Sequence, residues 1–114
     1  MNEELKTLLG DGIIVNGKII PVAHFRYKGK SKKFITWQTL GETPVLSADD
    51  EQLFSVGSVD IDVFSESNYL DIVKAIKLLM KNNGWIWTGD SPEMYEYDTE
   101  LYHLTSTFEK ERII

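Results

Sequence analysis

The stretch that decides the fold is VDIDVFSESNYLDIVKAIKLLM, residues 59–80, because two different periods meet in it. In its first part apolar side chains alternate with Asp60 and Asp62, which is typical of a strand with one apolar face and one wet face. From residue 69 onward the apolar side chains recur every three or four positions, as on one side of an α-helix. This apolar stripe consists of Tyr69, Ile72, Val73, Ile76, Leu79 and Met80. The sequence therefore predicts a strand that leads into one long amphipathic helix.

The same two periods, together with turn residues, place the other elements. Three leucines at helical spacing, followed by Gly10 and Gly12, predict a short helix over 2–9. Asn16-Gly17 between two β-branched triplets predicts a hairpin, because a type I′ turn needs positive φ at both central residues. The long helix is predicted over 69–82 with Asn68 as its N-cap. Strands are predicted over 13–15, 18–20, 34–39, 53–64, 85–88 and 102–113, with a loop over 41–51. Residues 22–27 are either another strand or a continuation of 18–20, and residues 94–97 are a candidate extended segment.

This order of elements predicts the fold class. With one long helix there is no repeated βαβ unit, so we expect an α+β fold with a mainly antiparallel sheet. The long helix should cover one face of the sheet, accompanied by the short N-terminal helix. The opposite face would stay wet unless another molecule covers it. A length of 114 residues is that of a single domain, 1–114.

Composition removes several classes of function. The absence of cysteine excludes disulfides, thiolate metal sites, Fe–S clusters and cysteine nucleophiles. A net charge of −6 argues against tight wrapping around nucleic acid phosphates, although it permits a channel through which DNA slides. No apolar run is long enough to cross a bilayer, and the acidic start is unlike a secretory signal. We therefore expect an acidic protein of the cytoplasm.

A search for catalytic chemistry finds no persuasive motif. His24 and His103 lie far apart in sequence without a carboxylate at ligand spacing, which is typical of partly exposed strand histidines. There is neither a Gly-x-Ser-x-Gly elbow nor a glycine-rich phosphate loop. Asp60 and Asp62 share one strand face and could hold a hard cation or act as an acid–base pair, but the wet face of a strand explains them more simply. We expect no catalytic residue, no metal and no cofactor.

Two opposite charge clusters are the candidate interface residues. The basic loop consists of Arg26, Lys28, Lys30, Lys32 and Lys33. The acidic loop consists of Asp49, Asp50 and Glu51. Three interpretations of the basic loop stay open: a solubilising turn, a docking site for an acidic partner such as a neighbouring copy, or a nucleic-acid stripe. Trp85 and Trp87 alternate on one face, which favours a core or interface contact over a ligand cage.

Several patterns of the chain occur together in one known family. They are the short leading helix, residues 21–25, the aromatic strand 34–37, residues 48–51, the strand 59–65 running into the helix 71–77, Gly84-Trp85-Ile86-Trp87, and the strand 102–109. Over nearly its whole length the chain resembles the tail terminator, or tail completion, proteins of long-tailed bacteriophages. The shared features are patterns of residue class rather than invariant chemical groups.

The resemblance implies an architectural part rather than an enzyme. Proteins of this family form a homohexameric ring that caps the finished tail tube, contacts the major tail tube protein and presents a surface to head-completion or connector proteins. DNA passes through the lumen without specific binding. The expected location is the virion tail, after assembly in the bacterial cytoplasm. The alternatives are a head-side connector or stopper, a small metal-dependent enzyme that uses Asp60, Asp62 and a histidine, and a regulatory module that binds through the basic loop.

Overall fold

The computed structural model describes residues 1–46 and 53–113 and folds them into two helices and seven strands. In chain order the elements are α1 (Asn2–Leu9), β1 (Gly12–Val15), β2 (Lys18–His24), β3 (Lys33–Leu46), β4 (Leu53–Ser65), α2 (Leu70–Asn82), β5 (Ile86–Asp90), β6 (Met94–Glu96) and β7 (Leu101–Ile113). The strands form one sheet in the order β1-β2-β3-β4-β7-β5, with β6 paired to β7. All described pairs are antiparallel except β2 with β3. The predicted α+β class with a mainly antiparallel sheet is confirmed.

The β1–β2 hairpin forms where Asn-Gly predicts it. Asn16 and Gly17 have φ angles of 52° and 80°, as a type I′ turn requires, and Val15 pairs with Lys18 across it. The Asn16 Nδ2 group donates a 2.9 Å hydrogen bond to Asp71 Oδ2 at the start of α2. This bond ties the turn to the long helix.

The expected loop over 41–51 is wrong for its first half. Residues 41–46 extend β3 and pair with the beginning of β4, from Gly41 opposite Ser58 to Leu46 opposite Leu53. The register shifts between Thr39 and Gly41, which places a bulge at Leu40. This part of β3 has a described neighbour on one side only, and a proline such as Pro44 is tolerated in such an edge strand. Residues 47–51 lie outside the described part of the chain.

The helix α2 begins one residue later than predicted. Asn68 Oδ1 accepts a 2.9 Å hydrogen bond from the Leu70 N–H, whereas Tyr69 occupies the N-cap position. Asn68 thus binds the first turn from one position further upstream than an N-cap residue. The buried face of α2 consists of Ile72, Val73, Ile76 and Met80, as the apolar stripe predicts.

Both helices and the sheet contribute to one apolar core. Leu5 and Leu9 of α1 join the buried face of α2 and the strand residues Val59, Ile61 and Phe108 in a single cluster. A helix of 13 residues is about 20 Å long, so α2 alone does not span a sheet of this width. The core therefore depends on α1 and the β1–β2 hairpin as well as on the long helix.

The described chain is elongated and exposes more surface than its size requires. Its principal extents are 52 × 26 × 23 Å and its radius of gyration is 15.4 Å, against about 13 Å for a compact domain of this length. Its accessible surface is 7289 Å², against roughly 6,400 Å² expected for a monomer of this mass. Among the described residues, no helix combines the length and the apolar character needed to cross a membrane.

Candidate subunit interface on the helix-free face of the sheet

The face of the sheet that points away from both helices is built from β3, β4 and β7. We call this surface the helix-free face. Its side chains lie in three rows across the strands, set by the registers of β3 with β4 and of β4 with β7. The rows are Phe34–Phe64–His103, Thr36–Asp62–Thr105 and Gln38–Asp60–Thr107. Most of these side chains are half-buried by their neighbours in the sheet and are not covered by a second layer.

The first row is a continuous stack of rings, to which the basic loop adds Tyr27. The ring centroids of Tyr27, Phe34, Phe64 and His103 are successively 4.4, 4.6 and 4.1 Å apart, with interplanar angles of 22°, 17° and 17°. Stacked pairs of this kind contribute about 0.5–1.5 kcal/mol each beyond the area they bury. The stack fixes the position of the basic loop relative to the face.

Asp62 is the most constrained carboxylate of the face. Its Oδ1 lies 3.0 Å from His103 Nε2 and also accepts a short hydrogen bond from the Thr105 hydroxyl. Burial raises the pKa of Asp62, but the hydrogen bonds from His103 and Thr105, with the charge of the imidazole, outweigh burial and lower it below its ordinary value. His103 is a half-buried strand histidine, as predicted, and its carboxylate partner is remote in the sequence. The two residues are 41 positions apart and meet only because β4 pairs with β7.

Asp60 and Asp62 share one face, as predicted, but they have separate partners. The Thr107 hydroxyl donates a 2.7 Å hydrogen bond to Asp60 Oδ1, so each aspartate is bound to its own residue on β7. Among the described residues, no group of three His, Cys, Asp or Glu side chains is arranged to hold a metal ion. His24 lies elsewhere and stacks on Trp37 with the ring centroids 4.1 Å apart.

The last part of β7 separates its charges by face. Glu109 and Glu111 continue the helix-free face beyond Thr107, opposite Ser58 and Val56. Lys110 and Arg112 point to the other side, where both bind Glu4 of α1, Lys110 with an Nζ–Oε2 distance of 2.7 Å. Over the described lengths of β3, β4 and β7, the helix-free face thus carries four acids and no lysine or arginine.

The basic loop connects β2 to β3; it begins level with Trp37 in the middle of the sheet and ends at Lys33, at the end of the sheet opposite to Glu111. Arg26, Lys28, Lys30 and Lys32 are exposed, and Lys33 is half-buried where β3 begins. The Ser31 N–H donates a 3.0 Å hydrogen bond to the Tyr27 hydroxyl, which braces the loop. Within residues 1–46 and 53–113, none of the five bases forms an ion pair. Asp49, Asp50 and Glu51 of the acidic loop lie outside the described residues, so their part in an interface stays a prediction.

The two tryptophans share the helix side of the sheet but differ in burial. Trp85 is 2% exposed and belongs to the core, whereas Trp87 is 50% exposed. Lys77 of α2 lies over the Trp87 ring, 4.3 Å from its centroid, and Trp87 Nε1 donates a 2.9 Å hydrogen bond to Asp90. Asp90 also accepts hydrogen bonds from Lys77 at 2.8 Å and from the buried Ser106 hydroxyl at 2.7 Å. We call this group the Asp90 clasp; it attaches β5 to α2 and β7.

Neither the Asp90 clasp nor a cluster of tyrosines beside α2 was predicted from the sequence. In the cluster, Tyr102 contacts Tyr69 and Tyr95, with ring centroids 6.3 and 5.0 Å away. Burial, followed by the hydrogen bond and charge of Glu93, raises the pKa of Tyr69 above its ordinary value. Tyr69 and Tyr102 also line an open groove of about 460 Å³. The members of both groups are separated along the chain by strands and turns, so no local spacing signals them.

Neither a protein-family model nor a curated protein matches this chain.

Proposed function

We propose that this chain is an architectural subunit of a bacteriophage tail, a tail terminator that assembles as a ring on the end of the tail tube. The observation that carries the proposal is the uncovered helix-free face, which spans three central strands. A domain normally buries both sides of its central sheet or keeps the outer side fully polar. Here the outer side carries a stack of aromatic rings and half-buried threonines, which suits a surface that another subunit covers.

The resemblance and the net charge support the same role. The resemblance to tail terminators supplies the identity of the assembly. The acidic balance of −6 suits a ring through which DNA slides without sticking.

The experiment that tests this role is a tube-length assay. Purified protein is added to polymerising major tail tube protein, and tube lengths are read by electron microscopy. A terminator shortens the tubes and leaves density at one end of each tube. The Ile76→Asp variant, whose core is disrupted, is the matched control. Tube lengths that do not change with added wild-type protein would overturn the proposal.

A further inference from the structure

The basic loop and the far end of the helix-free face carry complementary surfaces. We propose that the basic loop of one copy docks on the acidic end of the helix-free face of the next copy, in a head-to-tail contact. The acidic end consists of Glu109 and Glu111 with the neighbouring apolar residues Val56 and Ile86. This inference rests on the proposed function, since it names the contact by which the subunits of the ring would meet.

The docking element of the contact is more than a run of charges. Phe25, at the start of the basic loop, is 68% exposed and has a φ of 71°, a left-handed conformation that a bulky side chain rarely adopts. Its N–H donates a 2.7 Å hydrogen bond to the Trp37 carbonyl, which holds the strained residue in place. Backbone strain of this kind occurs preferentially at functional positions. The loop therefore begins with an exposed apolar ring next to Arg26 in the sequence. Among the described residues, neither Arg26 nor any of the four lysines that follow it forms an ion pair.

The acidic end of the helix-free face also combines apolar and charged side chains, but its charges are negative. Ile86 of β5 pairs with Glu109, and Val56 of β4 pairs with Glu111, so apolar and acidic side chains alternate across three strands. Ile86 is 68% exposed. Within the described residues, neither glutamate forms an ion pair. Phe25 of a neighbouring copy could pack on the apolar side chains of this surface, and the bases of the same loop could pair with its two glutamates.

The two surfaces are too far apart to meet within one chain. Lys33, where the loop ends, lies opposite Ser65, and Glu111 lies opposite Val56, nine residues away along β4, which amounts to about 30 Å. Phe25, where the loop begins, lies level with Trp37 in the middle of the sheet, and β3 and β4 separate it from β7 by about 14 Å. The contact can form only between copies. Because its two sides differ, each copy keeps a free loop and a free face after binding one neighbour, and the assembly closes into a ring when the rotation per copy allows it.

The first test reverses each charge set and then mixes the variants. We expect Lys28→Glu/Lys30→Glu/Lys32→Glu and, separately, Glu109→Lys/Glu111→Lys to weaken self-association by about tenfold or more at low salt, since each replaces attractions by repulsions. An equimolar mixture of the two variants should regain association. The charge-reversed loop of the first variant can bind the charge-reversed face of the second, and the unchanged loop of the second can bind the unchanged face of the first. The matched controls are Lys6→Glu/Lys74→Glu/Lys81→Glu and Glu3→Lys/Glu93→Lys. Sedimentation velocity measures the size of the assemblies that form. The proposal is overturned if the mixture associates no better than either variant alone, or if the wild type assembles no further than a dimer.

The second test separates the contact from the fold. Phe25→Gly should leave the melting temperature of the subunit unchanged or raise it, since glycine adopts a φ of 71° without strain. The same variant should weaken association, because the apolar ring is gone. A Phe25→Gly protein that assembles like the wild type would remove Phe25 from the contact and overturn the docking geometry.

The third test detects even a weak contact. The chain has no cysteine, so Lys30→Cys and Glu109→Cys variants carry one thiol each and can be mixed and oxidised at millimolar concentration. The proposal predicts a disulfide between the two variants, and none between Lys30→Cys and a Lys74→Cys control. Absence of the mixed disulfide overturns the contact, while tube capping would still support a terminator. A trapped contact with no effect on tube length would instead contradict the proposed function.

Discussion

Replacing Asp90 by alanine tests whether the Asp90 clasp holds β5 onto the rest of the fold. The carboxylate accepts hydrogen bonds from Lys77, Trp87 and Ser106. The Ser106 hydroxyl is 1% exposed, and leaving a buried hydroxyl without a partner costs about 1–3 kcal/mol. The bonds from Lys77 and Trp87 are partly exposed and contribute about 0.5–1 kcal/mol each. We expect Asp90→Ala to lower the free energy of unfolding by about 2–5 kcal/mol, the sum of these contributions.

The assay is urea unfolding followed by tryptophan fluorescence, supported by the melting temperature. For a domain of this size the expected loss corresponds to a decrease in melting temperature of roughly 10–20 °C. Asp90→Asn keeps a side-chain oxygen that can accept the Ser106 hydrogen bond, so its loss of unfolding free energy should be smaller than that of Asp90→Ala. Asp90→Ala/Ser106→Ala should be more stable than Asp90→Ala alone, since no buried hydroxyl is then left unpaired. A loss below about 0.5 kcal/mol, within the range of ordinary surface substitutions, would refute the reasoning.

Two further predictions concern the core and the acid stability. Ile76 is fully buried, so Ile76→Asp should cost several kcal/mol of stability and unfold the domain. The control Leu78→Asp, at an exposed position of the same helix, should stay folded. A thermal melt of Ile76→Asp that matches the wild type, followed by circular dichroism, would contradict the assigned core. The folded-state pKa of Asp62 is lowered, so its contribution to stability is present above its ordinary value of 3.8 and is lost as the pH falls through the lower, folded-state pKa. Asp62→Asn should therefore be less stable than the wild type near neutral pH and should lose less stability as the pH falls. If the free energy of unfolding falls equally with pH in both proteins, this reasoning is refuted.

The elements were predictable from the sequence because their signals are local. The alternation around Asp60, the helical stripe around Ile76 and the Asn16-Gly17 turn each depend on residues within a few positions of one another. Their positions in the structure agree with the predictions to within one or two residues for the helices and for β1, whereas β2 is one continuous strand that ends at His24, three residues before the predicted limit of 27. The shared face of Asp60 and Asp62 follows from the same alternation.

The pairing of those elements was decided only by the tertiary structure. Residues 41–46 have the composition of a loop, but their backbone groups find partners on β4, and the strand continues. The parallel pairing of β2 with β3 likewise has no local signal. Strand partners separated by tens of residues are selected by the whole sheet, and no short window of sequence contains that information.

For the candidate interface too, some features follow from the sequence and others only from the tertiary structure. The sequence by itself determined the basic loop and the alternation that puts Glu109 and Glu111 on one side of β7 and Lys110 on the other. Only the tertiary structure brought His103 to Asp62, attached Lys110 to α1 and placed Lys33, at the end of the basic loop, about 30 Å from Glu111 along the same sheet. The physical reason is that side-chain direction is a local property of the backbone, whereas distance across a sheet depends on which strands pair and in which register.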